Sequence, residues 1–249
     1  MKTLGGSNRP WVRILLSPPY VPLAQPVEHL TFNQGVCGSI PQWSTRKKHL
    51  RQQVLFSIKI AKGDCVMKCY LVRHGKDDDT VRGGWSSSPL TDEGVRQVED
   101  LAERLSKGNF EIGAIYSSDL PRARQTADIV ADLLNLPVTE TPQFRETNNG
   151  VLAGMDNELA KELFPGLFWS ALDWEQPYPD GESPQAFYSR IAAAWAQFKE
   201  QIKSAENNVI LVTHGGVINV ICCIENGIKY SNKSNPFPVA NAEMAEIEL

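Results

Sequence analysis

Cysteine is scarce in this 249-residue chain: there are five, an odd number. Cys222 and Cys223 are neighbours and do not easily bridge to each other, which excludes a disulfide-stapled scaffold and favours a reduced, cytoplasmic protein. No run of eighteen apolar residues occurs, so no transmembrane helix and no membrane partner is expected. Neither His-x-x-x-His nor Cys-x-x-Cys spacing is present, so no metal and no other cofactor is expected. What remains is ordinary globular material, 42% hydrophobic and 22% charged, long enough to bury a core in one or two domains.

Charge is distributed unevenly. Residues 1–66 carry nine basic and two acidic residues, a balance of +7, and six of the 16 prolines. Residues 67–249 carry 16 basic and 27 acidic residues, a balance of −11. The first stretch shows neither a period of 2 nor one of 3.6, and its apolar run from Trp11 to Leu16 meets Pro18 and Pro19 with no small-residue cleavage pattern behind it. A signal peptide is a poor fit, and the prolines disfavour the amphipathic helix of a mitochondrial transit peptide. The run Ala24 to Pro41 reads instead like a mistranslated transfer-RNA gene. Gly38-Ser39-Ile40-Pro41 is encodable by a T-loop sequence, and Trp43-Ser44-Thr45 by one ending in CCA. Residues 1–66 are therefore expected to be a leader, either disordered or lying before the natural start at Met67, and 67–249 the folded domain.

From Met67 onward, strand and helix signals alternate. Strands are predicted over 68–73, 112–116, 136–139, 208–213 and 242–248. The first helix opens at Thr91 as N-cap, with Val95, Val98, Leu101, Ala102 and Leu105 at helical spacing before Gly108. A second is predicted with Ser118 as cap and Pro121 in its first turn, a third over 183–204, and a fourth over 217–225. Residues 147–183, rich in Gly, Pro and Trp, are expected to be an irregular cap near the site. The alternation predicts a three-layer α/β/α sandwich with a mostly parallel central sheet.

In such sheets ligands bind beyond the carboxyl ends of the strands. Two histidines fall there, in Arg73-His74-Gly75 and Thr213-His214-Gly215-Gly216, each followed by a glycine that lets backbone N–H groups approach a ligand. Arg122 lies one turn into the helix after the second strand, near a helix N-terminus that already favours anions. Two arginines, two histidines and helix N-termini on one rim predict a site for a dianionic phosphoryl group. A basic pocket in an acidic domain argues for a small phosphorylated substrate and against nucleic acid. The oligomeric state stays open, a dimer included.

These residues resemble the histidine phosphatase superfamily, the phosphoglycerate-mutase-like group. The matching motifs are Leu71-Val72-Arg73-His74-Gly75, Gly84-Trp85, Pro89 to Gly94, Ser117 to Ala127, Phe144-Arg145-Glu146 with Gly150 and Gly154, Gly181-Glu182-Ser183, and Val212 to Ile218, in the family's order. The resemblance implies that His74 is the nucleophile that becomes phosphorylated. Arg73, Arg122, His214 and Gly215 hold the phosphoryl oxygens, and Glu146 is the general acid and then base. His214 is counted with His74 and Glu146 among the catalytic groups. The mechanism needs no metal, because the arginines supply the positive charge.

The plainer readings cover other residues. Arg124 is expected on a solvated helix face, Arg82 and Arg145 either reaching the pocket or in surface salt bridges, and Asp77-Asp78-Asp79 as a solvated run. Trp169, Trp174 and Tyr178 are expected as cap packing, and Cys222 and Cys223 as small buried hydrophobes. Compared with mutase-type members, the loop Lys76 to Arg82 is compressed, with Thr80 near the mutases' asparagine. Glu146-Thr147-Asn148-Asn149-Gly150 stands where mutases have Glu-Arg-His-Tyr-Gly. The expected activity is therefore a phosphomonoesterase; the alternatives are a phosphoglycerate-mutase-type phosphotransferase and a non-catalytic phospho-ligand binder. Mass spectrometry of the native N-terminus is expected to find Met67 first, and peptides from residues 1–50 would overturn that start.

Overall fold

A computed structural model describes residues 66–249. The expectation for the leader thus falls outside the described residues, Val66 apart. The strands are β1 (Lys68–Arg73), β2 (Ile112–Ser117), β3 (Val138–Glu140), β4 (Asn208–Thr213) and β5 (Met244–Glu248). They form one sheet in the order β3-β2-β4-β1-β5, parallel except for β5. The helices are α1 (Asp92–Lys107), α2 (Pro121–Leu134), α3 (Asn157–Leu163), α4 (Pro184–Ile202) and α5 (Gly215–Glu225).

The central strands are apolar without a break because both faces are covered. Successive strand residues point to opposite sides, so one apolar run feeds two cores. Cys69, Leu71, Val209 and Leu211 pack with Phe187, Ile191, Trp195 and Phe198 of α4 and with Val217 and Ile221 of α5. Tyr70, Val72, Ile210 and Val212 pack with Val98 and Leu101 of α1 and with Ala123, Ala127 and Val130 of α2. The result is the three-layer sandwich the alternation predicts. Cys222 and Cys223 are buried in the first core, as small hydrophobes should be.

Helix ends follow local chemistry. Thr91 caps α1 by accepting from Gly94 N, with Asp92 and Glu93 in the first turn and Arg104 and Lys107 in the last, each complementing the dipole. Ser183 caps α4 by accepting from Ala186 N. The expected Ser118 cap is corrected: α2 starts at Pro121, and its N-cap Leu120 offers no side-chain bond. Pro121 needs no donor there, since its missing N–H is one the first turn leaves unpaired anyway. α5 begins at Gly215, two residues earlier than expected, and β3 is shifted to Val138–Glu140. The cap over 147–183 is less irregular than its composition suggests. It holds α3, capped by Asp156, and a small core of Leu152, Ala160, Leu172 and Tyr178. Trp169 stacks on Tyr178 at 6.0 Å within it, while Trp174 tilts against Tyr188 and Tyr230.

Gly75, just past the end of β1, is packed tightly against α1. A Cβ there would lie 2.6 Å from Gly94 O and 2.7 Å from Val98 Cγ2. Its N–H donates to Thr126 Oγ1 at 3.1 Å, so it serves packing and not, as the sequence implied, close approach to a ligand. Gly75→Ala is expected to cost about 1–3 kcal/mol through overpacking, read as a lowered urea midpoint; an unchanged midpoint would refute this account of the contact.

Candidate active site

Strand register delivers the site. Arg73 of β1 pairs with Thr213 of β4, and His74 N–H continues the ladder by donating to Thr213 O at 3.0 Å. The next residues, His74 and His214, therefore emerge side by side, with ring centroids 5.1 Å apart. On the other flank of β4, Ser117 pairs with Val212 and Ser118 N–H donates to Val212 O at 2.9 Å. That register puts the Ser118 hydroxyl 2.9 Å from His214 Nε2. The role missed in Ser118 was legible only through strand order, which no local pattern reports.

Both imidazoles are held neutral with one nitrogen committed. His74 is 5% exposed; its Nδ1 lies 2.7 Å from Gly75 O, which makes Nδ1 the protonated nitrogen and leaves the lone pair on Nε2. Arg122 Nε donates to that Nε2 at 3.2 Å. Burial first, and the Arg122 charge second, push His74 down from 6.5 to about 3. The expectation that arginines disfavour its protonation thus holds, but desolvation contributes more. His214 is fully buried, and burial followed by Arg122 holds it well below 6.5. His214 Nε2 is paired with the Ser118 hydroxyl, and its Nδ1 is a buried nitrogen with no hydrogen-bond partner among the described residues.

Arg73 and Arg122 differ in freedom. Arg73 Nη1 is tied to Val239 O at 2.8 Å, while its buried Nε has no partner among the described residues. A Cβ on Gly215, the first residue of α5, would lie 3.6 Å from that Nε, so Arg73 borders the helix N-terminus whose amides favour anions. Arg122 is 2% exposed, and its outer nitrogens hold the loop before it, donating to Gly84 O at 2.7 Å and to Ser86 O and Oγ at 3.4 Å.

Glu146 comes from a loop, not from the sheet, and its backbone is fixed from three sides. Thr213 Oγ1 donates to Phe144 O at 2.8 Å, Trp85 Nε1 donates to Glu146 O at 2.6 Å, and Arg190 Nη2 donates to Glu146 O at 3.0 Å. Arg190 is itself held by both oxygens of Glu182, at 2.7 and 2.9 Å. The Glu146 carboxylate accepts from Gly216 N and Thr147 N, each at 3.1 Å. A Cβ on Gly216 would come within 2.4 Å of Glu146 Oε1, so only glycine leaves the carboxylate its seat on α5. Trp85, Arg190 and Gly216 are positioning groups that sequence spacing alone did not single out.

Among the residues expected to be plain surface, Arg145 pairs with Asp119 and stacks over Trp85 at 4.9 Å, and Arg124 pairs with Asp128 and Glu140. Arg82 lies over Phe168 at 4.9 Å and makes no salt bridge among the described residues. The reading of Asp77 as solvated is corrected. Asp78 and Asp79 are exposed, but Asp77 turns inward, with Oδ2 3.3 Å from Arg122 Nε and Oδ1 4.0 Å from His74 Nδ1. The bridge between Asp77 and Leu90 fixes this turn of the loop.

A mostly parallel sheet ending in paired neutral imidazoles, one buried and one half-buried guanidinium group and a helix N-terminus suits a phosphoryl-handling α/β protein. The chain belongs to branch 1 of the histidine phosphatase superfamily, whose sequence model matches residues 69–249, and it is a phosphatase of that superfamily. A metal-independent phosphoserine phosphatase of Arabidopsis thaliana is 36% identical over 164 residues, 63% of this chain and 67% of its own. The crystal structure of the alpha-ribazole phosphatase from Shigella flexneri superposes with a TM-score of 0.62 at 28% identity, covering 74% of this chain and 91% of the other. A mycobacterial glucosyl-3-phosphoglycerate phosphatase gives 0.61 at 26% identity, with 72% and 89% covered. Among the described residues, no helix is long and apolar enough to cross a membrane.

Buried neutral histidines make stability depend on pH. The unfolded chain protonates His214 near 6.5 and the native state does so only far lower. Between those values the unfolded state binds more protons, so stability is full above 6.5 and falls as pH drops. Each such histidine is expected to cost about 2 kcal/mol between pH 7.5 and 5. Urea melts across that range should show a shallower fall for His214→Asn than for wild type; parallel curves would contradict it.

Proposed function

We propose that this phosphatase is a metal-independent phosphomonoesterase that works through a phosphohistidine at His74 on a small phosphorylated metabolite, in the cytoplasm. The observation that carries the reading is the commitment of His74 Nδ1 to Gly75 O, which leaves the lone pair on Nε2, facing Arg122 Nε, as the nucleophile at neutral pH. In the first step Nε2 forms a bond to phosphorus as the bond to the ester oxygen breaks. Glu146, protonated, gives its proton to the departing alkoxide. In the second step Glu146, now a carboxylate, takes a proton from water as the water oxygen bonds to phosphorus. The P–N bond then breaks and inorganic phosphate is released. Arg73 Nε, Arg122 and His214 Nδ1 stabilise the equatorial oxygens, with Gly215 N–H at the start of α5.

The arginines supply the charge that a metal would otherwise bring, which supports metal independence. Three buried free thiols, Cys69, Cys222 and Cys223, support a reducing compartment. The relatives are named for phosphoserine, alpha-ribazole and glucosyl-3-phosphoglycerate phosphatases, which supports a soluble small-molecule monoester here rather than a macromolecule.

p-Nitrophenyl phosphate hydrolysis tests the mechanism. His74→Ala is expected to abolish turnover, and Glu146→Gln to lower it about 10²–10⁴-fold while allowing a phosphohistidine to be trapped. Full activity in His74→Ala, or no trapped phosphohistidine in Glu146→Gln, would refute it.

A further inference from the structure

Asp77 introduces a negative charge at the seat that the reading above assigns to a phosphoryl group. Its carboxylate is 19% exposed, 3.3 Å from Arg122 Nε, and 4.0 Å from the nucleophilic imidazole. The loop geometry holds it there: Lys76 N–H donates to Gln97 Oε1, Thr91 N–H donates to Lys76 O, and Asp77 bridges to Leu90. Around it, Arg122 faces it from α2, and Arg73 and His74 from the end of β1. From its own loop, Asp78 is turned away onto Thr80 N and Oγ1, and Lys76 onto Glu93 at 2.7 Å. Glu146 acts on the Arg122 charge as well.

The charge balance follows from these neighbours. Arg73 and Arg122 bring two positive charges and Asp77 one negative charge, both histidines are neutral, and Glu146 carries its proton in the first step of the reading above. Asp77 is the carboxylate that disfavours a dianion at close range, since a carboxylate next to a phosphoryl oxygen is a like-charge pair. The conflict is removed by one proton.

We infer that Asp77 is a specificity-determining residue of this site: a doubly charged phosphoryl group enters only with one proton taken from solvent, which Asp77 holds. The inference rests on the reading of this pocket as a phosphoryl site. Asp77 is suited to the role, because burial raises its carboxyl above the ordinary range despite the opposing Arg122 charge. The ligands selected are phosphomonoesters that arrive as monoanions, or as dianions accompanied by that proton, two routes with the same proton count. Affinity therefore weakens as pH rises.

Sulfate is the suitable probe, being a dianion across the whole neutral range, so that any proton exchanged belongs to the protein. Calorimetric titration of the full chain with sulfate, in two buffers of different ionisation enthalpy, reads the proton count directly. Wild type is expected to take up about one proton per sulfate at pH 7.5, and Asp77→Asn close to none. Asp77→Asn should bind sulfate at least about tenfold more tightly at pH 8, the advantage shrinking towards pH 5. Zero proton uptake by wild type, or equal uptake and affinity in the two proteins, would overturn the inference while leaving the phosphoryl site intact. Binding by the variant alone supports it. Failure of both folded proteins to bind sulfate would instead overturn the phosphoryl-site reading, and this inference with it.

Discussion

The parallel pairing of β1 with β4 ends in a single bond, His74 N–H to Thr213 O at 3.0 Å, and that bond decides where the two histidines stand. With Arg73 opposite Thr213, the two histidines leave the sheet together. A slip of one residue would turn one imidazole into the opposite core and expose Leu71 or Leu211 on the wrong face. The site is thus as well specified as the hydrophobic core beneath it, since the alternation that sorts Cys69 and Leu71 from Tyr70 and Val72 also sets the register of the histidines.

Burial at those strand ends does a second job. An imidazole removed from water beside a guanidinium gains nothing by taking a proton, so His74 and His214 stay neutral where exposed histidines would be partly charged. Neutrality alone does not choose the reactive nitrogen. Gly75 O does so for His74, while at His214 the Ser118 hydroxyl occupies Nε2 and Nδ1 has no hydrogen-bond partner among the described residues. Arg122 balances its own burial against Asp77 and Glu146. The positive charge that attracts a phosphoryl group is therefore present but largely matched until a ligand arrives.

Much of this was legible in the sequence, and what was not has a common cause. The strands, α1 and α4 follow from apolar periodicity and from caps such as Thr91 and Ser183, which act within four residues of themselves. His74, His214, Arg73 and Arg122 were legible because strand ends and helix starts are local features. Ser118, Asp77 and Trp85 were misread or passed over because their partners, His214, Arg122 and Glu146, lie 45 or more positions away in the chain. A serine two residues before a helical proline looks like a cap, and one of three consecutive aspartates looks solvated, until tertiary contacts assign them otherwise.

The same distinction divides the labour of the site. The groups proposed to meet the phosphoryl oxygens stand at the ends of β1 and β4 and on the helices that follow β2 and β4, where the sheet leaves little room for change. Glu146, Asp77 and the cap arise from the loops 76–90 and 142–183, held by hydrogen bonds such as Trp85 to Glu146 O and Arg190 to Glu182. Loop segments of this kind can be altered without repacking either core. Three differently named phosphatases sharing this chain's family or fold fit that arrangement. Their names have phosphatase in common and differ in the phosphate ester. A proton-requiring carboxylate on one such loop is then a change the scaffold tolerates, because Asp77 alters the charge accepted at the site without touching the register that built it.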